Sequence, residues 1–171
     1  STEREGSFVD ELLGENNERL KKQQEKPITV IFGNPPYSAK QDNEDKNYSR
    51  AKYPKLDNSL KKTWIDTSSA INKNGLMDSY IKAIRWSADR LSNDGIISFI
   101  TNSSYIDGVA MDGMRKSLLN EFSDIYVIDL KGQIRRRSKK QIANEGENIF
   151  DIMTGVAIIL LVRDSSKSKG K

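Results

Sequence analysis

Apolar positions along the chain alternate between two periods, one typical of strands and one typical of helices. The strand-like segments are short runs rich in β-branched and aromatic residues, at 28–32, 96–101, 125–130 and 155–162. The helix-like segments repeat apolar residues at spacings of three and four, at 7–24, 75–91 and 111–122. Strands that alternate with helices form right-handed crossover units, so the pattern predicts an α/β fold with a mostly parallel sheet.

The fourth predicted strand is reached through a long loop without a helical pattern. We therefore expect it to pair with the third strand as an antiparallel hairpin. The predicted domain spans 27–163, and a helix with a flexible start precedes it at 1–26. The charged, Ser-rich tail at 164–171 is expected to be disordered.

The first predicted strand ends at an unusual corner. Residues 28–32 have no polar alternation beyond Thr29, which predicts a central strand buried on both faces. Gly33 and the two prolines Pro35 and Pro36 then enforce a rigid, non-helical turn. This turn places Asn34 and the Tyr37 ring beyond the carboxyl end of the strand, where open α/β sheets bind their ligands.

The second predicted strand runs from a turn at Asn93-Asp94-Gly95 to a polar end at 101–105. These polar groups would lie beside Asn34 on the same rim of the sheet. We interpret them as caps of the turn, with positioning of a substrate as the alternative.

Two segments have a composition suited to nucleic acid. Residues 38–63 are polar and predicted to be mostly loop; their lysines and tyrosines suit contacts with phosphates and bases, and a solvated loop explains them equally well. The segment 131–140 has six basic residues and no acid, which favours a phosphate-contacting loop. Its candidate DNA-binding residues are Arg135, Arg136, Arg137, Lys139 and Lys140.

Composition limits the chemistry and the location. The 171 residues are 36% hydrophobic, enough for one core and one domain. There is no Cys and no His, so thiol and imidazole catalysis and most metal sites are excluded, and we expect no metal. A secretion leader and a membrane-length apolar run are both missing, which predicts a cytoplasmic protein.

The tetrapeptide Asn34-Pro35-Pro36-Tyr37 resembles the catalytic motif of the amino-group DNA methyltransferases, which transfer a methyl group from S-adenosylmethionine to adenine N6. The segments 94–100 and 148–150 are similar to later motifs of this family. The amino-acid sequence around Gly108, Met114-Arg115 and 129–132 resembles the methyltransferase part of large single-chain restriction-modification enzymes. The fold that this resemblance implies is the C-terminal half of a Rossmann-like class I methyltransferase sheet with an antiparallel final strand.

The resemblance also implies roles for residues. The Asn34 side-chain oxygen and the Pro35 carbonyl would accept hydrogen bonds from the amino group of a flipped-out base, held rigidly by the prolines. Tyr37 would stack on this base, and Phe150 matches the position of a second aromatic, although a core role explains Phe150 as well. The implied partner is DNA, and cytosine N4 stays open as an alternative acceptor.

The chain departs from the family pattern before Asn34. No Gly-x-Gly sequence stands there, although the family's Gly-rich cofactor loop should precede the tetrapeptide. We therefore expect a fragment without the N-terminal methyltransferase half and without a target-recognition domain, which by itself binds S-adenosylmethionine weakly or not at all. The strand carrying Asn34 should have an exposed edge that permits a homodimer. The alternative functions are a non-catalytic nucleic-acid-binding module and a module that completes a partner's sheet.

Overall fold

Helices and strands alternate along the chain as the apolar pattern predicts. The computed structural model describes residues 2–36, 53–131 and 155–170. The elements are α1 (Thr2–Glu25), β1 (Ile28–Gly33), α2 (Pro54–Leu60) with a π-helical turn (Lys61–Ile65), a 3-10 turn (Asn74–Met77), α3 (Ser79–Arg90), β2 (Leu91–Asn102), α4 (Ser104–Asp107), a 3-10 turn (Val109–Met111), α5 (Asp112–Glu121), β3 (Asp124–Asp129) and β4 (Val156–Arg163). Among these described residues, none of the helices is both long enough and apolar enough to cross a membrane.

The four strands form one mixed sheet in the order β1-β2-β4-β3. β1 and β2 are parallel, whereas β4 is antiparallel to both of its neighbours. Three of the four strands therefore run in one direction, and β4 is the antiparallel hairpin strand. This arrangement confirms the predicted α/β half-sheet.

One face of the sheet carries the core. Alternate residues of the central strands, Ile97 and Phe99 on β2 and Ile159 and Leu161 on β4, are buried under the helices. The helical side chains that meet them include Trp64, Ile84, Met114, Leu118 and Phe122. The inward positions predicted for α5 are confirmed, because Met114, Leu118 and Phe122 are all buried.

The opposite face of the sheet is apolar and uncovered by any described residue. It presents Phe32, which is 80% exposed, together with Val30, Ile96, Tyr126 and Ile128. The register places these side chains on one surface, because Val30 pairs with Ile96 and Ile96 pairs with Val162. We call this surface the bare face.

The prediction that β1 is a central strand buried on both faces is wrong for the described sheet. β1 is an edge strand that pairs only with β2 among the described strands, so its outer edge and its bare-face side chains are exposed. The side chains of residues 14–25 in α1 are exposed too, so this part of the helix does not bury the edge. The exposed edge itself agrees with the expectation from the sequence.

The segment predicted as a loop at 38–63 is partly helical. Pro54 starts α2, and the Tyr53 backbone N–H donates to the Asp57 carboxylate at 3.0 Å, which caps the helix. Leu60 and Trp64 then reach the core four residues apart. Their spacing was hidden among polar neighbours, whereas residues 37–52 lie outside the described residues.

Two further expectations differ from the structure. The turn predicted at 93–95 is an irregularity within β2 instead of a chain reversal: Ile28 pairs with Leu91 whereas Val30 pairs with Ile96, so residues 92–95 lie outside the ladder with β1, and a Cβ on Gly95 would stand 2.6 Å from the Thr29 carbonyl oxygen. Gly95 thus allows β1 to approach, rather than reversing the chain. The tail at 164–170 is also organised, since the Ser165 N–H donates to Asp94 at 2.7 Å and the Gly170 N–H to the Phe122 carbonyl at 3.0 Å.

Candidate methyl-acceptor rim

The parallel pairing of β1 and β2 brings their carboxyl ends to one rim of the sheet. Gly33 lies opposite Phe99, so Asn34 follows at the level of Ile100, two residues before β2 ends at Asn102. The side chain of Asn34 is exposed, Pro35 is half-buried and Pro36 is exposed. The rim therefore presents an accessible carboxamide beside two prolines of fixed φ, as the sequence predicted for Asn34, Pro35 and Pro36.

The polar end of β2 serves the local turn. The Asn102 side-chain oxygen accepts from the Ser104 N–H at 2.8 Å and from the Ser104 hydroxyl, and Asn102 is buried. The Ser103 N–H donates to the Gly155 carbonyl at 2.9 Å and ties this turn to the start of β4. The interpretation of these residues as caps is confirmed, whereas the carboxamide of Asn34 is exposed.

A pair of buried tyrosines supports the rim from below. The rings of Tyr80 on α3 and Tyr105 on α4 lie 6.5 Å apart, and both residues are buried. Burial raises the pKa of Tyr105 to about 12 and also raises the pKa of Tyr80. Both phenols therefore stay neutral at physiological pH.

An open apolar cleft of about 410 Å³ lies next to the corner. Pro36 forms part of its wall, together with Tyr53, Met77 and Trp86. The periodicity of α3 grouped Trp86 with the core residues, but its side chain is about half exposed here. No sequence pattern predicted this cleft, because its walls come from α2, α3 and the corner, which only the tertiary fold brings together.

The other predicted site residues lie outside the described residues. They are Tyr37, Phe150, Arg135, Arg136, Arg137, Lys139 and Lys140. Their roles in base stacking and DNA contact stay predictions. The structure thus describes three of the four residues of the tetrapeptide.

A half-sheet with three strands in one direction, an antiparallel hairpin strand and an Asn-Pro-Pro corner at its rim matches part of a methyltransferase fold. The family comparison agrees. The chain belongs to the Eco57I restriction-modification methylase family, whose model matches residues 4–134. No match was found among curated protein sequences.

Solved structures similar to this chain come from much larger proteins. The ATP-dependent Type ISP restriction-modification enzyme LlaBIII bound to DNA is 64% identical, with a TM-score of 0.81 over 92% of this chain and 10% of that enzyme. A nuclease-deletion mutant of the Type ISP enzyme LlaGI, in complex with a DNA substrate mimic, is 43% identical, with a TM-score of 0.79 over 91% of this chain and 13% of that one.

The DrdV–DNA complex is 41% identical, with a TM-score of 0.76 over 90% of this chain and 15% of that one. The chain therefore spans about a tenth to a seventh of the length of these proteins. The predicted resemblance to the methyltransferase part of large single-chain restriction-modification enzymes is confirmed.

Proposed function

We propose that this chain is the methyl-acceptor half of a DNA methyltransferase domain that methylates adenine at N6 within a longer restriction-modification enzyme, here called the parent enzyme. The observation that carries the proposal is the exposed Asn34 carboxamide, which a proline-rigid corner holds at the carboxyl rim of the sheet. DNA as the substrate is supported by the DNA complexes of the similar enzymes.

The chemistry proposed for the corner needs two hydrogen-bond acceptors. An adenine must leave the duplex before its amino group can react, and the Asn34 oxygen and the Pro35 carbonyl then accept hydrogen bonds from the two amino hydrogens. These bonds orient the nitrogen lone pair away from the ring toward an electrophile. Because Pro35 and Pro36 fix the backbone, the acceptors are in place before the base arrives and need no reorganisation.

S-Adenosylmethionine would supply the electrophilic methyl group. The described residues do not form a pocket for it. β1 is an edge strand of the described sheet, and no described strand pairs with its outer edge. The bare face also indicates that part of the domain lies elsewhere, because a sheet with parallel strands is normally covered on both faces. We infer that another part of the parent enzyme pairs with β1, covers the bare face and holds the cofactor.

Several assignments complete the proposal. Tyr37 and Phe150 stack on the extruded base from its two faces, and the basic residues between Arg135 and Lys140 contact DNA phosphates. A target-recognition domain elsewhere in the parent enzyme chooses the sequence. When the chain is produced alone, its open β1 edge and bare face favour pairing of two copies.

The identity of the methylated base tests the proposed function. DNA is prepared from a host without adenine methyltransferases and incubated with the parent enzyme and S-adenosylmethionine carrying a labelled methyl group. After digestion to nucleosides, we expect the label in N6-methyladenine. Label in N4-methylcytosine would overturn the choice of acceptor, and DNA without label would overturn the function.

A further inference from the structure

A loop between the π-helical turn and α3 holds an isoleucine fully in solvent. Ile71 is 105% exposed, the largest value among the large hydrophobic side chains of the described residues. Ala70 before it is half-buried, and Ser69 and Asn72, which flank this pair, are polar and exposed. Ile71 is therefore a single apolar projection within a polar surface, and not part of a flat apolar patch.

The loop is fixed by hydrogen bonds at its first half. The Ser69 N–H and hydroxyl donate to the Asp112 carboxylate at 3.0 and 2.6 Å, and the Ser68 hydroxyl donates to the Ala110 carbonyl at 3.2 Å. Hydrogen bonds from Ser68 and Ser69 lower the pKa of Asp112 far below its ordinary value, so this carboxylate acceptor stays charged.

The second half of the loop is fixed as well. The Lys73 ammonium donates to the Ile65 carbonyl at 2.6 Å, and the Asn74 N–H donates to the Asn72 side chain at 3.1 Å. Bonds on both sides of Ile71 thus hold it out, so its exposure does not come from a loop without structure. An apolar side chain that is held in water gains free energy when a partner covers it.

The loop belongs to the same rim as the Asn34 corner. α5 begins where β2 and α4 end, and Asp112 and Ala110 at this point anchor the loop. The loop leads into the 3-10 turn at Asn74–Met77, and Met77 shares the apolar cleft with Pro36. Ile71 and Asn34 therefore lie at the same end of the sheet, which is the end that a duplex delivering a base to Asn34 would approach.

We propose that Ile71 is a wedge that inserts between base pairs beside the target adenine and stabilises the duplex after this adenine has left the stack. The proposal rests on the proposed function. Isolated apolar side chains that enter base steps are an established means of unstacking DNA, and extrusion of a paired base is the costly step. The exposed side chain of Asn72 beside it suits contact with phosphate or sugar through its amide N–H groups.

The test compares paired and mismatched targets in the parent enzyme. Methylation is first mapped with the wild-type enzyme, and single-turnover rates are then measured on a duplex with a normal A·T target and on one with a mismatched target, which needs little energy for extrusion. We expect Ile71→Ser to slow methylation about tenfold on the paired target and less than about twofold on the mismatched one. On a paired duplex with 2-aminopurine at the target position, we also expect the complex with Ile71→Ser to be less fluorescent than the complex with the wild-type enzyme.

Leu119→Ser is the matched control, because Leu119 is an exposed apolar residue toward the other end of α5. It should leave both rates unchanged. If Ile71→Ser matches the wild type on both targets, or slows both equally as loss of a protein contact would, the wedge is overturned while the proposed function stands. If the wild type methylates neither target, the proposed function fails and the wedge with it.

Discussion

Replacement of Asn34 by alanine in the parent enzyme is expected to lower the methyl-transfer rate by about 100-fold to 1,000-fold, the usual effect of removing one preorganised polar group from a reacting centre. Alanine removes the side-chain acceptor and leaves the Pro35 carbonyl in place. Because Asn34 is exposed and makes no core contact, the fold should survive. Single-turnover methylation at saturating DNA measures the effect on the chemical step.

Two matched variants separate chemistry from structure. Asn34→Asp keeps an acceptor oxygen and should retain more activity than Asn34→Ala. Asn93→Ala removes another exposed carboxamide, near the start of β2 at the opposite rim, and should be as active as the wild type. If Asn34→Ala retained more than half of the wild-type rate, Asn34 would have no role in the chemical step.

Replacement of Arg85 by methionine should strongly lower the free energy of unfolding of this domain. Arg85 is buried in α3, and its guanidinium donates to both carboxylate oxygens of Glu121 at 2.7 Å and to Asp89 at 2.7 Å. It also lies 5.1 Å from the centre of the buried Trp64 ring. Removal of one partner from such a pair costs about 3 kcal/mol, because the other charge stays behind with fewer partners.

The charge left behind belongs to Glu121. Burial raises the pKa of this carboxyl, but hydrogen bonds from Arg85 and Ser117 and the charges of Arg85 and Arg163 outweigh it, so the pKa lies below its ordinary value. Glu121 is therefore ionised at neutral pH and needs Arg85. Arg163 is a weaker substitute, since its guanidinium stands 3.9 Å from Glu121.

Hydrogen exchange in the parent enzyme measures the effect locally. Peptides that cover α3 and α5 should exchange about 100-fold faster in Arg85→Met, which corresponds to the expected loss in opening free energy. Arg90→Met is the matched control, because Arg90 lies at the end of the same helix and donates to the exposed Gln24 carbonyl. Equal exchange in the two variants would show that the buried ion pair adds no stability.

Periodicity located the strands and α5, but it did not tell which of their side chains this chain buries. Helix α5 and strand β4 lie close to their expected positions and their inward side chains are buried, whereas β3 lies close to its expected position although Tyr126, Val127 and Ile128 are exposed. β1 has an equally apolar pattern, yet its side chains are exposed, since burial depends on neighbours that the pattern cannot reveal. The same limit explains Trp86, whose spacing fits the core face although tertiary packing leaves it beside the cleft.

The corner at Asn34 could be found from sequence because its residues are consecutive and their backbone restraints are local. Parallel pairing then fixes which rim they occupy. The cleft beside Pro36 and the position of Ile71 could not be found this way. Both depend on contacts between segments far apart in the chain, such as the bonds from Ser69 to Asp112.

The central claim is that this chain carries the methyl-acceptor corner without the pocket of the methyl donor. Calorimetric titration of S-adenosylmethionine into the 171-residue chain and into the parent enzyme tests it most directly. We predict binding by the parent enzyme and no measurable heat of binding with the chain alone. Micromolar binding of S-adenosylmethionine by the isolated chain would contradict this account.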